Sequence, residues 1–82
     1  MKAKPMHPST EALARWLVAN PRLPEPGLMV AKRFEALAFE LINFAPEGPE
    51  LSAALRKLLE AKDCAVRACL PPPKLPHEEG GS

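Results

Sequence analysis

Eleven prolines limit what this chain of 82 residues can fold into. They all lie outside the interiors of three segments, and only there can a helix run, because proline lacks an amide proton and clashes with the preceding turn. The first segment, residues 10–20, opens with Ser9 and Thr10 as candidate N-caps and stops before Pro21. A stiff connector, Pro21-Arg22-Leu23-Pro24-Glu25-Pro26-Gly27, leads to the second segment, residues 28–44. After the turn Ala45-Pro46-Glu47-Gly48, the third begins at Pro49, a first-turn position that suits proline, and runs to Leu70. Pro71-Pro72-Pro73 ends it. The remaining tail is expected to be extended or disordered, and Gly80-Gly81-Ser82 reads as an appended remnant.

Both long segments carry helical spacing. Val30, Phe34, Leu37, Ala38, Leu41 and Ala45 follow the i, i+3, i+4, i+7 rule, as do Leu51, Leu55, Leu58, Ala65 and Cys69 with one interruption. Two helices joined by so short a turn are expected to lie antiparallel. The predicted fold is therefore all-α, a short N-terminal helix plus an antiparallel helical hairpin, in an oligomeric helical assembly. Its divisions are residues 1–26 (helix and proline-rich connector), 27–71 (hairpin) and 72–82 (tail).

The oligomer is expected from the third helix. On a helical wheel Ala68, Ala61, Ala54 and Ala65 form a small-residue stripe that Leu58, Leu51, Cys69, Leu55, Val66 and Leu59 continue. The apolar arc spans roughly 180–200°, against roughly 100° for a helix facing one core. A single hairpin mate cannot cover it, so a second partner is required, either the first helix or another copy of the chain. Self-association is the more economical reading, and it suits a domain too short to bury a large core.

Several function classes find no support. Eleven basic and ten acidic residues leave a formal charge of +1, so no bulk attraction to DNA, RNA or a membrane surface is implied. No run approaches the roughly 18 apolar residues of a membrane span, and residues 1–8 lack the apolar core of a signal peptide. Cys64 and Cys69, five apart on a helix, point roughly 140° away from each other. They are read as reduced, semi-buried thiols of a cytoplasmic protein, with a bridge between subunits as the rival. His7 and His77 sit in opposite tails, no nucleophile stands beside either, and no glycine-rich phosphate loop follows a strand. The chain is expected to be no enzyme and to need no metal or cofactor.

Binding is better supported, by residues that break their local pattern. Lys62 falls inside the apolar arc among Leu55, Leu58, Val66 and Cys69; either its amine snorkels to water or it meets an anionic ligand. Phe39 stands on the polar face of the second helix with Lys32, Glu35 and Asn43, and is either covered by another helix or offered to a nucleobase attached to phosphate. Trp16 has the same two readings, and packing against the hairpin is preferred. Arg56, Glu60, Asp63 and Arg67 form a charged stripe. It is either a solvated set of i, i+4 ion pairs or a phosphate grip through Arg56 and Arg67.

One stretch also resembles a known family. Arg33-Phe34-Glu35-Ala36-Leu37-Ala38, the turn Ala45-Pro46-Glu47-Gly48-Pro49-Glu50, and the run from Ala54-Leu55-Arg56-Lys57-Leu58-Leu59-Glu60-Ala61 to Ala65-Val66-Arg67-Ala68 occur in order. This is similar to the helical-hairpin domain of phage anti-CBASS and anti-Thoeris sponge proteins, and the likeness runs from Arg33 to about Pro71. It departs at Arg56, Leu59 and Cys64, where that pattern commonly has a threonine, an acid and an aromatic. The resemblance implies a homo-oligomer, often a hexamer. Such an assembly would bind a cyclic di- or trinucleotide, or a cyclic ADP-ribose-type signal, without cleaving it, in the host cytoplasm. It also implies ligand contacts from Arg67, Lys57 and Arg33; Lys62, Arg56, Phe39 and Lys32 join them from the wheel. The alternative is a small helical adaptor or inhibitor acting through the wide apolar face.

Overall fold

The computed structural model describes residues 6–79, and it is all-helical there, with no strand among the described residues. The helices are α1 (Pro8–Leu17), α2 (Gly27–Phe44), α3 (Pro49–Ala68) and a single turn, α4 (Pro76–Glu79). The tail expectation is thus corrected in part: residues 71–75 are irregular, but a helical turn follows. Residues 80–82, expected to be a remnant, and residues 1–5 of the N-terminal stretch expected to lack a signal peptide's apolar core lie outside the described residues. No helix is long and apolar enough to cross a membrane among the described residues.

Prolines set the helix starts, as the sequence suggests, with one shift. Pro8 takes the first position of α1, and His7 before it is the cap, its Nδ1 accepting from Ser9 N at 3.2 Å. Ser9 and Thr10 are therefore inside the helix rather than capping it. A proline preset at a first-turn angle outranks a hydroxyl one or two residues later. Pro49 occupies the same position in α3, and Ser52 N donates to Gly48 O at 3.1 Å to close its first turn.

α2 and α3 are joined by residues 45–48 and pack against each other, with Gly27 at the start of α2 beside Val66 and Cys69 near the end of α3. α1 packs against both. Ala14 and Leu17 of α1, Ala38 and Ile42 of α2, and Leu51 and Leu55 of α3 form the main core, flanked by Leu13, Phe39, Leu41, Ala45, Leu58 and Leu59. A second cluster, Ala19, Ala31 and Val66 with Leu23 and Leu28, continues it toward the connector. The second partner demanded by α3's wide arc is thus, on one flank, α1 of the same chain.

Two faces differ from their expected orientation. In α2 the expected stripe contributes only Ala38 to the fully buried set, while Ala31 and Ile42 are buried and Leu37 is 45% exposed. Small residues at positions 31 and 38 let neighbouring helices come close, so the inner line of α2 runs through them rather than through its largest side chains. In α3, Leu51, Leu55, Lys62 and Val66 are buried, whereas Ala54, Ala61 and Ala68 face solvent. The alanine stripe is therefore an outer edge of the protomer.

Trp16 is the plainest correction. It was expected to pack on the hairpin, yet it is 72% exposed, while Thr10 on the same helix is completely buried. A hydrogen bond explains the rotation. Thr10 Oγ1 donates to Glu47 Oε2 at 2.8 Å, tying the start of α1 to the turn between α2 and α3. Thr10→Val keeps the shape and removes the donor. We expect it to lower stability by about 1 kcal/mol, read as a lower denaturation midpoint, because Glu47 can turn to water.

Candidate functional site

Three polar clasps hold α1 in place, and the third creates a cleft. Besides Thr10 to Glu47, the backbone N of Ala19 donates to Glu35 Oε1 at 2.7 Å, just past the end of α1. Lys62, only 8% exposed, donates from Nζ to the Trp16 carbonyl at 2.5 Å. That carbonyl belongs to the last turn of α1, where carbonyls have no partner within the helix and the helix dipole favours a cation. Lys62 therefore neither snorkels freely nor stands ready for a ligand alone; it caps a neighbouring helix.

Beside this clasp, α1, the start of the connector and the second half of α3 enclose a cleft of about 370 Å³. Arg15, Trp16 and Asn20 line one wall, and Lys62, Asp63 and Arg67 the other, over an apolar floor that includes Leu59 and Val66. Three cations thus face one carboxylate. Arg15 is engaged with Glu11 at 2.6 Å, the one ion pair among the described residues. Asn20 Oδ1 accepts from Arg22 N at 3.0 Å, which leaves the amide NH2 to donate. Arg67 Nη2 lies 3.4 Å from Cys64 Sγ, a weak partner for a guanidinium. The indole of Trp16 stands open for stacking.

Of the seven sequence candidates, the cleft brings together Lys62 and Arg67. Lys32 and Arg33 share a different, open hollow with Glu25, Pro26 and Met29 at the start of α2. Phe39 is half-buried and packed against the core cluster to which α1 contributes Ala14 and Leu17. Arg56 and Lys57 are exposed on α3. The expected pairs Arg56–Glu60 and Asp63–Arg67 are not formed, so those guanidiniums are not tied to carboxylates on their own helix. Cys64 is exposed rather than semi-buried, Cys69 is half-buried, and both are unbridged.

Arg15 and Asn20 were missed because their roles depend on how α1 is rotated, which no spacing in α1 reveals. One signal was available: a lysine inside an apolar arc needs a buried acceptor, and a helix end supplies one. Among the described residues, no three histidine, cysteine, aspartate or glutamate side chains converge as metal ligands would. Compared with protein-family models, curated proteins and solved structures, the chain matches none.

Proposed function

We propose that this chain is a sponge that binds a phosphate-bearing cyclic nucleotide signal and holds it uncleaved. The ligand class is a cyclic di- or trinucleotide, or a cyclic ADP-ribose-type molecule. Withholding it would keep a bacterial CBASS or Thoeris effector inactive in the cytoplasm of an infected host. In this reading α2 and α3 act as an antiparallel hairpin, and copies assemble as a homo-oligomer.

The observation that carries the proposal is an exposed indole in one cleft with the Arg67 guanidinium, which has no carboxylate partner, beside the Lys62 ammonium held by the Trp16 carbonyl. Bases stack on aromatic faces whatever their sequence, and guanidinium grips phosphate through two parallel hydrogen bonds. Arg67 supplies the grip, Trp16 the stack, and the amide of Asn20 a donor to a base or ribose edge. The resemblance from Arg33 to about Pro71 supports the same ligand class, and Arg67 is common to both lines of argument. Sequestration also needs no nucleophile or general base.

Trp16 is the only tryptophan in the sequence, so its fluorescence reports on the cleft directly. Titration with a panel of cyclic di- and trinucleotides and cyclic ADP-ribose isomers is expected to shift or quench that emission and raise the melting temperature. Heat denaturation should then return the ligand intact. Arg67→Ala and Trp16→Phe each should weaken binding about ten-fold or more, equivalent to roughly 1.4 kcal/mol, with an unchanged melting point for the free protein. Heat of titration serves as the readout for Trp16→Phe. No fluorescence change, thermal shift or heat with any member of the panel would refute the proposal.

A further inference from the structure

The flank of α2 turned away from α1 carries an apolar line that the protomer covers only in part. Val30, Phe34, Leu37, Leu41 and Phe44 succeed one another at alternating intervals of four and three residues. That is the spacing of a seam between two helices, not of a helix facing a broad core. Leu37 is 45% and Phe44 84% exposed, and Val30 and Phe34 are only half-buried. The inner edge of the line is Ala31, Ala38 and Ala45, turned into the protomer's own core. The outer edge holds two charges of opposite sign, Arg33 and Glu40, both exposed and seven residues apart.

We infer that this line is a homotypic interface, in which α2 of one copy lies antiparallel to α2 of a second copy across a two-fold axis near Leu37. The charges select the orientation. With the axis at Leu37, Val30 falls opposite the partner's Phe44, and Arg33 comes within one position of the partner's Glu40. The outer edges then meet each other, and symmetry forms the pair twice. In a parallel pairing the outer edge would meet the partner's alanine edge, and both charges would be left without a counterpart. Exposed pairs of this kind set orientation more than strength; the five apolar side chains supply the attraction.

The adjoining flank of α3 is compatible. Leu59, Lys62 and Arg67 mark the side of α3 that faces the cleft and α1, so Ala54, Ala61 and Ala68 lie on the opposite side, next to the α2 line. Their small side chains leave room for a second helix to settle against the first. The inference deepens the homo-oligomer of the proposed reading but rests on the seam and its charges, not on the nucleotide cleft, which lies on the other flank.

Mass measured by light scattering and sedimentation equilibrium tests it. The full chain is expected to be dimeric or a higher even multimer. Leu37→Glu should reduce it to the next smaller species with its helical circular dichroism retained, because Leu37 is already half open to water in the protomer. Phe44→Ser at the exposed end of α2 should give the same loss, and it stands in if Leu37→Glu disturbs folding. Arg33→Glu and Glu40→Arg should each weaken association several-fold, while the double variant Arg33→Glu/Glu40→Arg restores it. A monomer at every concentration would overturn the inference, including one that instead captures a different protein on this flank. So would an oligomer indifferent to Leu37→Glu and Phe44→Ser, or failure of the double variant to restore association.

Discussion

Leu55→Ala is expected to lower the melting temperature by roughly 10–30 °C. Leu55 is completely buried, at the point where α3 meets both other long helices, in a cluster with Leu17, Ala38, Ile42 and Leu51. Removing a buried leucine side chain costs about 2–5 kcal/mol, the larger values applying where the surroundings cannot close the cavity. Three helices held against one another by polar clasps have little freedom to close it. A chain of this length has a total stability of about 4–12 kcal/mol, and each kcal/mol moves its midpoint by roughly 4–8 °C. Leu70→Ala, removing the same atoms from an exposed position just past α3, should move the midpoint by no more than a few degrees. A thermal melt followed by circular dichroism decides the matter. Equal shifts for the two variants would mean that α3 does not face inward through Leu55. α1 covers the flank of the α3 arc around Leu55, so an adaptor partner would have only the outer alanine edge of that arc to bind.

How much of this was legible in advance follows from what each signal depends on. Proline positions and apolar spacing depend only on the local chain, and they place the three long helices to within a few residues. Facing depends on neighbours. In α1 the apolar Trp16 turns out and the polar Thr10 turns in, against any hydrophobic ranking, because Glu47 lies where Thr10 can reach it and not where the indole could pack. In α2 the predicted stripe includes the buried Ala38 but passes over Ala31 and Ile42, which complete the close approach. The cleft shows the same division. Lys62 and Arg67 could be singled out from α3 alone as cations in informative places. Their meeting with Arg15, Trp16 and Asn20 depends on how the connector returns α1 across α3, and no spacing along the chain encodes that.

Lys62→Met is expected to destabilise the protein by about 1–3 kcal/mol, and to do so through α1 rather than through its own helix. Methionine retains most of the stem that packs between α1 and α3, so little volume is lost. What disappears is the charge-assisted bond to the Trp16 carbonyl and the cation at the C-terminal end of α1. The carbonyl would be left in a part-buried place with no donor, and α1, short enough to be unstable alone, would lose one of its three polar holds. Amide hydrogen exchange should therefore quicken across residues 11–17 and at Ala19, while the amides in the middle of α2 and α3 keep most of their protection. The opposing effect is that methionine avoids the cost of keeping an ammonium group out of water, which in some proteins exceeds what the charge returns. The sign of the stability change separates the two. A Lys62→Met variant that melts at or above the parent would show the clasp to be a net cost, borne for the positive charge that Lys62 brings to the cleft. That cost would then have to be recovered in ligand affinity, so the same variant should bind the cyclic nucleotide panel more weakly although it is the more stable protein.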